Sequence, residues 1–216
     1  MTREEVKLCI EEIGIFPGLR VDSADQALYA AQTLYAAGLP VAEITMTVPG
    51  AIDVICELAQ KFPNMVVGAG TVLDKETAER CLDAGARFLT STGLVPEVMG
   101  SAHRRGVVVI PGALTPTEVI AAWKAGADYV KIYPTAAMGG ELYIRSLKLP
   151  LPQISLIPAG GVNQQNATGY IFAGATALGV GTELLPREAV RHHQDHRIHE
   201  LARRFLGFVK EARATI

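Results

Sequence analysis

"AGADYVKIYPT", residues 125–135, holds the two signals on which the fold rests. Small residues at 125–127, with glycine at the centre, suit a helix end turning back into a strand. The run that follows, Tyr129-Val130-Lys131-Ile132-Tyr133, is short, apolar and partly β-branched, as expected of a strand covered on both faces. The same punctuation stands at 36–38 (AAG), 84–86 (AGA) and 173–175 (AGA). Strand-like segments recur about every 20–25 residues: Ile13–Val21, Val41–Met46, Met65–Ala69, Arg87–Ser91, Val107–Pro111, Tyr129–Tyr133, Ile154–Pro158 and Ala177–Gly181. Helix starts follow several of them. "DSAD" at 22–25, "LDKE" at 73–76 and "TPTE" at 115–118 each offer a capping side chain, and Thr115, Pro116 and Glu118 form a complete capping box.

Eight alternations of strand and helix predict an α/β chain folded as a single (β/α)8 TIM barrel over residues 1–216. An extra N-terminal helix is expected from Thr2 and Glu5 at capping-box spacing, and a C-terminal helix over 187–214. The alternative is an open doubly wound sheet, but no G-x-G-x-x-G follows the first segment.

Composition narrows the function classes. Apolar residues make up 49% and charged residues 19%, which reads as globular, and the formal net charge of −2 gives no basic field for nucleic acid or an anionic membrane surface. No apolar run approaches the ~18 residues of a membrane span, and the amino terminus has no signal-peptide core. Cys9, Cys56 and Cys81 are odd in number and scattered, so reduced thiols in a cytoplasmic compartment are expected.

In a barrel of this kind the chemistry sits at the C-terminal ends of the strands. Lys131 is the sharpest feature there, because lysine is almost never buried without a partner. Desolvation lowers a lysine pKa, and a neutral amine attacks a carbonyl to form a Schiff base that draws electrons from an adjacent carbon–carbon bond. The plainer reading is a side chain that snorkels to solvent or pairs with a carboxylate. Glu43, in "VAEITMTVPG", is the second charge in a buried-strand pattern and is read either as that partner or as a proton shuttle. Gly160 and Gly161 in "PAGGV", and Gly179, Gly181 and Thr182 in "GVGT", lie after the seventh and eighth segments, where barrels commonly bind phosphate. Ordinary turns needing glycine are the alternative. His192, His193, His196 and His199 have spacings able to bind zinc but read as a solvated helix face, and Trp123 reads as packing.

The ordered series E-I-T (43–45), G-A-G-T-V (68–72), P-G-x-x-T-P-T-E (111–118), V-K-I-Y-P (130–134), P-A-G-G-V (158–162) and V-G-T-E-L (180–184) resembles the class I KDPG/KHG aldolases over about residues 13–185. These enzymes cleave 2-keto-3-deoxy-6-phosphogluconate (KDPG) and, in some members, 4-hydroxy-2-oxoglutarate. The resemblance implies Lys131 as Schiff-base lysine and Glu43 as acid–base glutamate. It also implies Thr71 on the pyruvyl carboxylate, Tyr133 beside the lysine, and Gly160, Gly161, Gly181 and Thr182 around phosphate. No metal or other cofactor is implied, and a cytoplasmic homotrimer of the Entner–Doudoroff pathway is. Many members carry arginine at the position of Thr47 and proline at that of Thr92. Thr47 cannot reproduce a bidentate guanidinium, and Arg20, at the end of the first segment, is the expected replacement. A branch similar to the 2-keto-3-deoxy-6-phosphogalactonate aldolases carries arginine there. Thr45, Thr47 and Thr92 are expected to line the pocket. Two readings of other kinds stand beside this one: a phosphate-binding isomerase in which Lys131 is only a charge, and a sugar-phosphate-binding barrel without catalysis.

Overall fold

Nine short strands, all parallel, alternate with helices through residues 1–215, the part of the chain that the computed structural model describes. Ile216, which ends the predicted domain, lies outside the described residues. The strands are β1 (Ile15–Leu19), β2 (Val41–Thr45), β3 (Val66–Gly70), β4 (Phe88–Thr90), β5 (Val108–Ile110), β6 (Gly112–Ala113), β7 (Val130–Ile132), β8 (Leu156–Pro158) and β9 (Leu178–Val180). They occupy eight positions around a closed (β/α)8 barrel, because β5 and β6 share one position: the segment expected at Val107–Pro111 runs on to Ala113 and is interrupted at residue 111. Pro111 is the cause. It has no N–H for the ladder, so pairing with β4 stops at Ile110 and the chain re-pairs with β7 from Gly112. The ring closes where β9 pairs with β1 on one side and meets β8 through an Ala159–Gly179 bridge on the other.

Glycine sets the helix-to-strand joints as expected. Gly38, Gly85, Gly126 and Gly174 all take positive φ. The capping boxes at Thr2/Glu5 and Thr115/Glu118 are both formed, on α1 (Arg3–Ile13) and α6 (Pro116–Lys124). Two expectations are corrected. Ile13 ends α1 and does not begin a strand, because left-handed Gly14 caps the helix there. The C-terminal helix is two helices, α9 (Arg187–Arg191) and α10 (Asp195–Arg213), separated by a turn in which His193 adopts φ 50° and stacks on Tyr29 at 4.2 Å. The neighbouring histidines are mainly solvated: His192 pairs with Glu188 at 3.2 Å, and His196 is exposed. Trp123 is 43% exposed on α6, whose buried face belongs to Val119 and Ala122 instead.

The barrel interior has its own apolar cluster. Phe16, Val41, Val66, Phe88, Ile110 and Ile157 meet there, and α1 closes the lower end by inserting Val6 and Ile10, which are 1% and 0% exposed. The Tyr129 hydroxyl ties that helix down by donating to Glu11 at 2.7 Å, and Arg3 pairs with Asp128 at 2.9 Å. A larger cluster lies between strands and outer helices. It holds Cys81, whose thiol is pushed up to about 12 by burial, while Cys9 and Cys56 are free and half-buried. Among the described residues no helix is long and apolar enough to cross a membrane.

Interior space is allocated by missing side chains. A Cβ on Gly68 would stand 2.3 Å from the Phe88 ring, which itself packs on Phe16 with centroids 4.8 Å apart. Gly68→Ala is therefore expected to lose about 1–3 kcal/mol by overpacking. Gly93→Ala, with nothing within 4 Å of the new carbon, is expected to stay within about 0.5 kcal/mol of the parent. Urea denaturation midpoints of the two variants test this.

Candidate active site

Lys131 and Glu43 face each other across the barrel mouth. Strand alternation explains the placement: in β7 the neighbours Val130 and Ile132 are buried against the outer helices, which leaves Lys131 directed inward. Glu43 occupies the corresponding inward position of β2, in register with Gly18 of β1 and Gly68 of β3. Lys131 Nζ lies 3.0 Å from Glu43 Oε1 and 3.4 Å from Oε2. The lysine side chain is 14% exposed and the glutamate 4%, so the pair is screened from solvent below and open above.

The glutamate fits because β3 gives way to it. A Cβ on Gly70 would come within 2.4 Å of Oε1 and 2.6 Å of Cγ, so the side chain lies directly over that glycine. The two glycines of "GAGT" thus make room, one for Phe88 and one for Glu43. Having crossed β3, the carboxylate reaches β4, where the Thr90 hydroxyl donates to the same Oε1.

Above the pair opens a cavity of about 320 Å³. Its lining brings together Arg20, Glu43, Thr45, Lys131 and Tyr133 with Gly160, Gly161, Gly181 and Thr182. Arg20 and Thr182 are exposed at the rim, and Tyr133 is 38% exposed. Gly160 and Gly161 have φ of 81° and 87°, and side chains on them would strike the Tyr133 ring at 3.0 Å and Ala136 at 2.4 Å. Backbone conformation and close packing both demand glycine here, and the same bareness opens the backbone to the cavity.

Three of the expected residues stand outside this lining. Thr47 lies beyond the end of β2, exposed, and shares a hydrogen bond of 2.8 Å with the Thr45 hydroxyl. Thr92 is exposed past the end of β4; its backbone carbonyl packs on Gly112, and the inward position belongs to Thr90. Thr71 is half-buried beside the site with φ 59°, a left-handed conformation rare for a β-branched residue and costing about 1–3 kcal/mol. Thr90, Asn163 and Glu183 were not anticipated, and the last two also line the cavity. Period-two alternation from buried Phe88 was the available signal for Thr90.

A barrel of parallel strands with an amine, a carboxylate and a glycine-rich rim gathered at one mouth has the parts of an enzyme site. Comparison with known proteins makes this particular. The sequence profile of the family described as KDPG and KHG aldolase matches residues 6–201. A 2-dehydro-3-deoxy-phosphogluconate aldolase of Pseudoalteromonas atlantica is 30% identical over 88% of this chain and 88% of its own. A solved structure described as native KDPGal superposes with a TM-score of 0.84 at 30% identity, over 92% of this chain and 95% of that one. The KDPG aldolase of Legionella pneumophila, crystallised with pyruvate captured as a covalent carbinolamine, gives a TM-score of 0.79 at 30% identity, over 88% and 94%. The chain belongs to the KDPG and KHG aldolase family, and the reaction class of that family is carbon–carbon lysis.

The pair can be tested as a unit. Lys131→Met leaves a carboxylate that is 4% exposed without its cation, and is expected to cost about 3 kcal/mol. Adding Glu43→Leu is expected to restore most of that loss, since both charges are then gone. A double-mutant cycle from urea denaturation measures the coupling.

Proposed function

We propose that the protein is a class I aldolase that cleaves KDPG reversibly to pyruvate and glyceraldehyde 3-phosphate through a Schiff base on Lys131. The observation that carries this reading is the Lys131 amine held 3.0 Å from the Glu43 carboxylate at the floor of an open cavity. An amine nucleophile with a proton acceptor in contact is what carbinolamine formation needs. The carbinolamine trapped in the Legionella relative supports the same chemistry.

In the proposed sequence Lys131 gives a proton to Glu43 and attacks the C2 ketone. Glu43 returns that proton to the C2 oxygen and then relays a second one from the nitrogen, so that the oxygen leaves as water and the iminium forms. Glu43 next accepts the C4 hydroxyl proton. The C3–C4 bond breaks, its electron pair passes to C3 and the iminium becomes an enamine, and the aldehyde departs. Protonation at C3 and addition of water release pyruvate and regenerate the amine. No metal or other cofactor enters these steps. Arg20 and Thr71 take the carboxylate, Tyr133 packs beside the imine, and Gly160, Gly161, Gly181 and Thr182 receive the phosphate. Such a donor-rich rim favours an anion through backbone N–H groups.

Arg20 favours a second reading for the substrate. It lines the cavity while Thr47 does not, so the strand-one guanidinium is the cation available to the substrate anion. That arrangement, with the likeness to the KDPGal structure, supports the C4-epimeric 2-keto-3-deoxy-6-phosphogalactonate. A cytoplasmic homotrimer completes the proposal; Trp123, Leu142 and Leu149, 43%, 67% and 85% exposed, offer apolar surface for assembly.

Borohydride added with pyruvate is expected to leave one reduced pyruvyl group on Lys131, located by peptide mass mapping and absent from Lys131→Ala. An unmodified, folded protein would make Lys131 a structural charge and turn attention to isomerase chemistry. Rates on the two phosphorylated epimers and on 4-hydroxy-2-oxoglutarate then rank the substrates. Arg20→Met is expected to raise KM for the preferred one about tenfold or more, with a smaller effect on kcat.

A further inference from the structure

The carboxylate at the centre of the site is held asymmetrically. Oε1 of Glu43 accepts from both the Thr90 hydroxyl and the Lys131 amine, while Oε2 has only the longer approach of Lys131 at 3.4 Å. Thr90 is wholly buried, so its hydroxyl has no water to turn to, and its position at the end of β4 is fixed by pairing with Ile110. Gly70 beneath the carboxylate leaves it lying flat toward β4, and the space above Gly18 is where Oε2 points, 3.0 Å from a Cβ built there. Among the described residues Glu43 has no other hydrogen-bond partner. The titratable and charged groups that share its cavity are Lys131 in contact and Arg20, Tyr133 and Glu183 farther out on the lining.

We propose that Thr90 is a positioning residue for the aldol reaction: by donating to Oε1 it pins the Glu43 carboxylate across β3 and leaves Oε2 as the oxygen that takes and returns protons in the cavity. The inference rests on the aldolase reading above. Removing the donor while keeping the volume frees the carboxylate from its fixed orientation across β3, and Oε2 is no longer held toward the cavity.

The measurement that isolates these effects uses pyruvate alone. Through the Lys131 enamine the enzyme exchanges the pyruvate methyl protons for deuterium in D2O, with Glu43 moving the proton and no aldehyde involved. The exchange rate, followed by proton NMR against pD, is compared for the parent, Thr90→Ser and Thr90→Val. Thr90→Val, nearly equal in volume, is expected to lower the plateau rate tenfold or more, because the carboxylate is no longer held in place. Thr90→Ser, which keeps the hydroxyl, is expected to follow the parent. If Thr90→Val does not fold by circular dichroism, Thr90→Ala removes the same donor with less bulk and takes its place. Profiles of the donorless variant that superpose on the parent overturn the role of Thr90. Borohydride trapping separates the two levels: an adduct on Lys131 in the parent with unchanged variant profiles defeats only this inference, whereas no adduct and no exchange in the parent defeats the aldolase reading itself.

Discussion

Volume is the governing constraint inside a barrel of eight short strand positions. Each inward side chain competes with those of the other strands, and protein interiors pack as densely as molecular crystals. A charged pair enters such a space only where neighbours withdraw. Here β3 withdraws twice: Gly68 yields to the Phe88 ring and Gly70 to the Glu43 side chain. The lower interior is thereby filled with apolar groups, and the upper interior is left to Glu43, Thr90 and Lys131. Position along the barrel axis separates the apolar packing from the charged pair.

That separation explains why the ion pair is tolerable. Burying an ammonium and a carboxylate apart would cost several kcal/mol each, and direct contact offsets much of this only with good geometry. Lys131 keeps 14% exposure toward the mouth, while Glu43, at 4%, depends on its two donors. The more deeply buried partner is the one that receives the extra hydrogen bond.

The eight-fold rhythm was legible in the chain because most repeats are punctuated by a glycine that takes positive φ, and because the strands, covered on both faces, read as apolar runs. Lys131 and Glu43 were legible for the converse reason: charges in such runs break the pattern. Gly160, Gly161, Gly181 and Thr182 followed from their place after the last two strands. Less accessible were features decided by neighbours distant in sequence. Thr90 and Thr92 share in "TSTG" the inward parity set by Phe88, and the end of β4 at Thr90 decides which one faces the glutamate. Thr47 and Thr71 belong to strand ends whose chain direction depends on the turn that follows. The break between α9 and α10 depends on Tyr29, far back in the chain, as the platform for His193.

Helix α1 has a consequence for traffic through the molecule. With Val6 and Ile10 wedged among Phe16, Val41 and Tyr129, the barrel is a blind tube, and the passage in is also the passage out. Anything joined to Lys131 sits at the closed end, and whatever lies nearer Thr182 at the rim stands between it and solvent. On the proposed chemistry the aldehyde fragment must therefore clear the tube before pyruvate, and in the condensing direction pyruvate must enter first. The order of arrival and departure is set by which end of the barrel the first helix closes.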